Sequence, residues 1–164
     1  MTTTPPAIPT VDLHDLTAHD PSANARAREA IRAGFGTYGL VFVKNHGVSD
    51  VADLYDRFQS FCDKPRAEKE PYNRGDLWYP RGWTPPNTEK AVVASGQPDF
   101  KECWFAAPEP LDPSLAAQYP EVYCENIWPE GEAEFAARYS QVGHELHLAG
   151  LALFPTQAAG TQLL

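Results

Sequence analysis

Residues 36–48, GTYGLVFVKNHGV, change periodicity within one short span and so fix the local architecture around them. Gly39 stands where a left-handed residue closes a helix. Leu40-Val41-Phe42-Val43 is an apolar, β-favouring run, short enough for a strand buried on both faces. Asn45-His46-Gly47 supplies turn chemistry, and Ser49 is placed to cap a following helix. Before the run, Asp20 as N-cap and Pro21 at the first helical position start a helix. Its apolar face is Ala23, Ala27, Ile31, Gly34, Phe35 and Tyr38. After it, Val51, Leu54, Tyr55, Phe58, Phe61 and Cys62 form a second amphipathic stripe. Ile8, Val11 and Leu13 suggest a short strand behind an irregular lead-in at 1–7. The expected unit is helix–strand–helix, in an α+β chain.

Between Pro65 and Pro113 the sequence becomes rich in Pro, Gly and aromatics, as in WYPRGWTPP at 78–86 and FKECWFAAPEP at 100–110. Extended segments are expected near Trp78–Gly82 and Phe100–Ala106. Their aromatics read first as a satellite core under a long loop, and second as the wall of a binding pocket. A last helix is expected from about Gly131, with Phe135, Tyr139, Val142, Leu146, Ala149 and Leu153 as its stripe. Toward its end Leu148, Leu151, Ala152 and Phe154 fill the other faces. A helix apolar all round expects protein on every side. PTQAAGTQLL at 155–164 is too short to provide that cover, so the pattern reads as one that is cut off.

With 164 residues and 43% of them hydrophobic, one domain with a real core is the expectation. A net charge of -9 argues against nucleic acid and against anionic membrane surfaces as partners. No basic-then-apolar leader opens the sequence, and no apolar run is long enough to span a bilayer. Cys62, Cys103 and Cys124 are odd in number and form no Cys-x-x-Cys pair, so they read as reduced thiols of a cytoplasmic protein.

Candidate chemistry is sparse. His46 is explained as part of a strand-to-helix turn, its imidazole bonding nearby backbone. His144 and His147 share a helix face, but HELH lacks the four-residue spacing and placed glutamate of His-Glu-x-x-His. PEGEAEF reads as a solvated helix start favoured by the dipole. Phosphate-cradling glycine patterns and a Gly-x-Ser-x-Gly elbow are absent.

IPTVDL at 8–13, AGFGTYGLVFVKNHGV at 33–48 and FQSFCDKPRAEK at 58–69 closely resemble the N-terminal region of isopenicillin N synthase-like Fe(II)/2-oxoglutarate dioxygenases. RGWTPPNTEKAV at 81–92, PDFKECWFA at 98–106 and ENIWPE at 125–130 extend the likeness, which covers about residues 8–154. The resemblance implies a helix–strand–helix region that buttresses a double-stranded β-helix, with the β-helix core largely missing from this chain. It implies that the Asn-His-Gly turn is structural. It also implies that Fe(II) is held downstream by His-x-Asp and a distant His, and 2-oxoglutarate by Arg-x-Ser. Residues i and i+2 of a strand point the same way, which lets a His-x-Asp pair reach one metal. Here the residues two after each histidine are Leu16, Pro21, Val48, Leu146 and Ala149, so no such pair exists. Arg138-Tyr139-Ser140 spells Arg-x-Ser but lies in an expected helix, and reads as coincidence. The loop carrying Tyr79, Arg81 and Trp83 matches one that approaches the substrate side of the barrel in relatives, which implies that Arg81 faces an acidic substrate group.

The resemblance therefore implies an oxidoreductase N-terminal domain at 8–154, followed by an unmatched tail at 155–164. No catalytic, cofactor-binding or metal-ligating residues are expected in this chain, and it is expected to be inactive alone. Its expected partner is a C-terminal β-helix domain, or a second copy through the terminal helix. The rival expectation is a non-catalytic interaction module associating through that apolar helix. A frameshift or gene-model boundary would account for the tail in a third way.

Overall fold

The computed structural model describes residues 7–49, 51–90, 96–107 and 111–154. Most of the lead-in and the whole tail expected from sequence fall outside the described residues. Helices and two small sheets alternate in the order β1 (Thr10–Asp12), α1 (Leu13–Thr17), α2 (Pro21–Tyr38), β2 (Phe42–Lys44), α3 (Val51–Cys62), α4 (Arg66–Lys69), β3 (Gly82–Thr84), β4 (Cys103–Phe105), α5 (Pro113–Gln118) and α6 (Ala133–Leu153). The contacts divide the chain into two units, Met1–Ser49 with His144–Leu164, and Asp50–Gly143.

In the first unit, β1 and β2 pair in parallel, with Val11 opposite Val43. The helix between them starts as its sequence predicts: the Asp20 carboxylate accepts from the Ser22 amide at 2.8 Å, and Pro21 follows. It ends at Gly39, left-handed at φ 72°, whose N–H donates to the Phe35 carbonyl. Val11, Ala27 and Ile31 form the core, joined by Leu16, Ala30, Val41 and Leu153. Gly34 is required by close approach, since a Cβ there would collide with the Val41 side chain. Beyond β2, Asn45 donates to both Asp12 carboxylate oxygens at 2.9 Å, which holds that carboxyl below its usual range. Val48 N–H donates to His46 Nδ1 at 3.0 Å, so the imidazole closes its own turn.

Two expectations are corrected here. Leu13 opens α1 instead of ending the first strand, because Asp12 accepts from the His14 amide and caps a helix. β2 is not buried on both faces: Phe42 is 58% exposed, and among the described residues this strand pairs only with β1. An apolar run reports a capacity for burial and not the presence of a covering layer. The Ser49 amide donates to Glu145 at 2.9 Å, and residue 50, between it and α3, lies outside the described residues, as does the junction at which the expected cap would act.

The second unit is built on aromatics. Phe61, Trp83, Trp104 and Phe135 are buried together, with Leu54, Phe58, Tyr72, Trp128 and Tyr139 packed against them. Edge-to-face contacts run through the set, at 5.1 Å for Phe61–Trp104 and 5.4 Å for Trp104–Phe135. Such pairs contribute about 0.5–1.5 kcal/mol each beyond their area. β3 and β4 pair antiparallel with Trp83 opposite Trp104, which puts both indoles on one face. The first extended segment begins only at Gly82, because Trp78 and Tyr79 are left-handed, at φ 62° and 60°. Gly82 itself has φ 77°, and a Cβ there would strike the Tyr72 carbonyl. The long loop of the sequence reading is thus the unit's principal core and not a satellite.

One ionic group lies inside that core. Lys69 Nζ meets the Glu102 carboxylate at 2.9 and 3.1 Å and donates to the Cys62 carbonyl at 2.7 Å. Trp83 Nε1 donates to Glu102 at 2.6 Å, and Lys69 also sits 5.0 Å from the centre of the Trp83 ring. Burial, with the Glu102 charge behind it, pushes the Cys62 thiol up to about 11. Among the described residues no helix is long and apolar enough to cross a membrane.

Three outcomes follow. Glu102→Gln leaves a buried ammonium without its counter-ion and costs about 3–5 kcal/mol in urea unfolding; adding Lys69→Met recovers most of that loss. Thr84, buried with a hydroxyl that has no hydrogen-bond partner among the described residues, tolerates Thr84→Val with a gain of about 1 kcal/mol. The Cys62 thiol is held neutral, so its contribution to stability is complete below the ordinary thiol range near 9.0 and is lost as pH climbs toward about 11. A Cys62→Ala chain unfolds with a shallower decline over that window.

Candidate functional site

Of the residues singled out by sequence, Tyr79, Arg81 and Trp83 lie on one short path that leads from a surface turn into the core. The turn is set by local polar bonds: Arg74 grips Asp76 in a two-point pair at 2.9 Å, and Asn73 Oδ1 accepts from the Gly75 amide at 3.1 Å. Tyr79 N–H reaches back to the Arg74 carbonyl at 3.1 Å. Two consecutive bulky residues with positive φ are costly, and such strain persists where neighbouring structure enforces it. Trp78 is left almost wholly in solvent at 93% exposure.

The path then separates the three residues. Tyr79 stays half-buried in the turn, and Trp83 is spent on the core and on Glu102. Arg81 alone lines an open groove of about 540 Å³, with Pro80, Phe105, Ala107, Leu111, Asp112 and Val122 among its walls. Although on a groove, Arg81 is only 8% exposed. Its guanidinium donates to three backbone carbonyls, those of Pro80 at 2.6 Å, Cys124 at 3.1 Å and Val122 at 3.2 Å. The planar fork is thereby fixed in orientation by the segment that crosses it.

Sequence reasoning missed Lys69 and Glu102. A signal existed, because FKECWF alternates with period two and puts Glu102 in phase with Trp104. A carboxylate in phase with a buried indole requires a buried donor, which Lys69 provides. A second surface hollow of about 300 Å³ is lined by Arg57, Glu134, Arg138 and Gln141. Its charges are already paired: Arg57 with Asp53 at 2.9 Å and Glu134 at 2.8 Å, and Arg138 with Asp53 at 3.1 Å.

The donor set was tested for iron. Fe(II) oxygenase sites take two histidines and one carboxylate on one face of the metal. Among the described residues no three His, Cys, Asp or Glu side chains cluster so that they could hold a metal ion. His46 is engaged by its own turn, and His144 and His147 are exposed on α6. Arg138 pairs with Asp53, and Tyr139 donates to the Trp104 carbonyl at 3.0 Å, so Arg138-Tyr139-Ser140 is helix wall. The described residues do not fit the metal, and no chemical step is derived through it.

Comparison with known proteins gives a consistent result. The family model described as non-haem dioxygenase in morphine synthesis N-terminal matches residues 8–131. Leucoanthocyanidin dioxygenase of Malus domestica is 27% identical over 142 residues, 84% of this chain and 38% of that protein. The enzyme of the same name from Vitis vinifera is 29% identical over 136 residues, 73% of this chain and 36% of that one. A full-length Neurospora crassa protein solved in complex with alpha-KG superposes with a TM-score of 0.68 at 18% identity, over 90% of this chain and 45% of its own. A putative 2OG-Fe(II) oxygenase family protein from Caulobacter crescentus gives 0.61 at 23% identity, over 91% and 48%. The chain spans between about a third and a half of the length of these relatives. Taken with the helix–strand–helix opening and the aromatic core, the match over residues 8–131 shows that the chain belongs to the non-haem dioxygenase N-terminal family, the N-terminal region of the isopenicillin N synthase-like Fe(II)/2-oxoglutarate dioxygenases.

Proposed function

We propose that these 164 residues are the N-terminal part of an Fe(II)- and 2-oxoglutarate-dependent oxidoreductase, and that they act by supporting a double-stranded β-helix that carries the iron ligands and the 2-oxoglutarate clamp. The observation that carries this reading is the family match over residues 8–131, with relatives matched over about two-fifths of their length. When bound in such an enzyme, iron with 2-oxoglutarate supplies the oxidising power; this chain's residues supply structure around it.

The first unit carries a surface suited to that role. Leu40 just before β2, Phe42 within it, and Leu146, Leu148 and Leu151 on α6 are exposed apolar side chains. Exposed apolar side chains on several sides of a helix are suited to contact with further polypeptide. Residues 8–154 act as one N-terminal domain in this reading, in a cytoplasmic protein whose three cysteines are free. The family match accounts for the same residues that a free-standing interaction module would have to explain, and so favours the oxygenase reading.

The test uses the 164-residue chain with Fe(II), 2-oxoglutarate, ascorbate and oxygen, and measures succinate. No succinate above the protein-free blank is expected, whereas catalytic turnover overturns the proposal. The same chain is expected to bind a dye for exposed apolar surface, and Leu148→Glu with Leu151→Glu to reduce that signal; an unchanged signal argues against the supporting face.

A further inference from the structure

The groove at the end of β4 lies in a stretch of chain with one sign of charge. From Cys103 to Ala137 there is no Lys, Arg or His. Asp112 lines the groove, and Glu121 and Glu125 bracket the lining residues Val122 and Tyr123 in sequence. Hydrogen bonds from Ser114 hold the Asp112 carboxyl below its usual range, so it is ionised at neutral pH. Glu121 and Glu125 are exposed, and neither enters an ion pair among the described residues. Other acids of this unit have found cations, as Glu132 has in Lys64 and Glu134 in Arg57. Beneath these charges the walls are apolar, from Pro80, Phe105, Leu111 and Val122. Phe105 is 41% exposed and Val122 53%, so the apolar wall is open to a visitor. Arg81 also lines the groove, but it is buried and its N–H groups are bonded to the carbonyls of Pro80, Cys124 and Val122. It offers no exposed counter-charge to the acids.

We propose that this groove docks a short extended segment of a partner protein, in which one apolar side chain carries Lys or Arg on both sides. The apolar side chain enters between Phe105, Leu111 and Val122, and a volume of about 540 Å³ admits one as large as phenylalanine with its adjoining backbone. The flanking cations meet Asp112, Glu121 and Glu125. Exposed charges of this kind act on encounter rate and choice of partner more than on tightness. Charge complementarity selects this occupant over two others. Nucleic acid brings phosphates to a surface of the same sign. A second copy of this chain, at a net charge of -9, brings the same acids back to the same place. The site stands on residues of the second unit and does not depend on the oxygenase reading.

The experiment titrates the isotopically labelled full chain with three end-capped peptides, Gly-Lys-Phe-Lys-Gly, Gly-Lys-Ala-Lys-Gly and Gly-Glu-Phe-Glu-Gly. It follows the amide signals of Phe105, Ala106, Val122 and Tyr123. The first peptide is expected to move them saturably, with a Kd below about 1 mM, and the other two to bind at least about tenfold more weakly. Glu121→Lys combined with Glu125→Lys changes two exposed side chains and is expected to erase the preference for the Lys-flanked over the Glu-flanked peptide. Equal binding of the Phe and Ala peptides would reveal ionic attraction without a groove, and overturns the proposal. Equal binding of the Lys- and Glu-flanked peptides, or no saturable shift at about 5 mM, does the same. So does a preference unchanged in the double variant. Groove signals that move with protein concentration before any peptide is added put a second copy there, and also overturn it. Binding is the readout, so its failure leaves the oxygenase reading untouched, and succinate formation leaves this site untouched.

Discussion

Glu102 accepts from the ammonium of Lys69 and from the indole of Trp83, and in doing so ties α4 to β3 and to the start of β4 inside a shell of aromatic rings. The rest of the second unit depends on that junction. Trp83, anchored at its nitrogen, stands opposite Trp104 in the ladder; Phe61 meets both indoles edge-on, and Phe135 meets Trp104 edge-on. The same strand direction places Arg81, two residues earlier, against the carbonyls of the 122–124 segment. A buried ion pair is seldom a source of net stability against an apolar substitute. Its value here is directional: it selects one register for two very short strands whose ladder alone specifies little.

The legible parts of the fold were those with local causes. Asp20, Pro21 and Gly39 mark the ends of α2 because capping and left-handed closure are settled within a few residues. The Asn45-His46-Gly47 turn was legible for the same reason, and His46 closes it through Nδ1. Features that required partners distant in sequence were not legible. Phe42 has the composition of a buried strand residue and is exposed, because burial is a property of what covers a segment. The sequence around Trp78 and Tyr79 favours an extended segment, since propensity places no bulky aromatic at positive φ and only the surrounding bonds impose the turn.

The sequence singles out three residues of one loop and gives no sign of how the fold separates them. Tyr79, Arg81 and Trp83 are neighbours in sequence, yet one stays in a turn, one lines a groove and one enters the core. Lys69 and Glu102 were missed because their pairing spans 33 positions. The sequence contains no His-x-Asp pair. Membership of the non-haem dioxygenase N-terminal family and the lack of a described iron site are compatible once the family's chemistry is assigned to polypeptide outside these residues, as proposed above.

The most direct measurement is an anaerobic Fe(II) titration of the purified 164-residue chain in the presence of 2-oxoglutarate, read by calorimetry and by metal content after gel filtration. The account predicts weak, non-stoichiometric binding that leaves no iron on the recovered protein. One iron retained per chain, and lost when His144 or His147 is replaced by alanine, would contradict it.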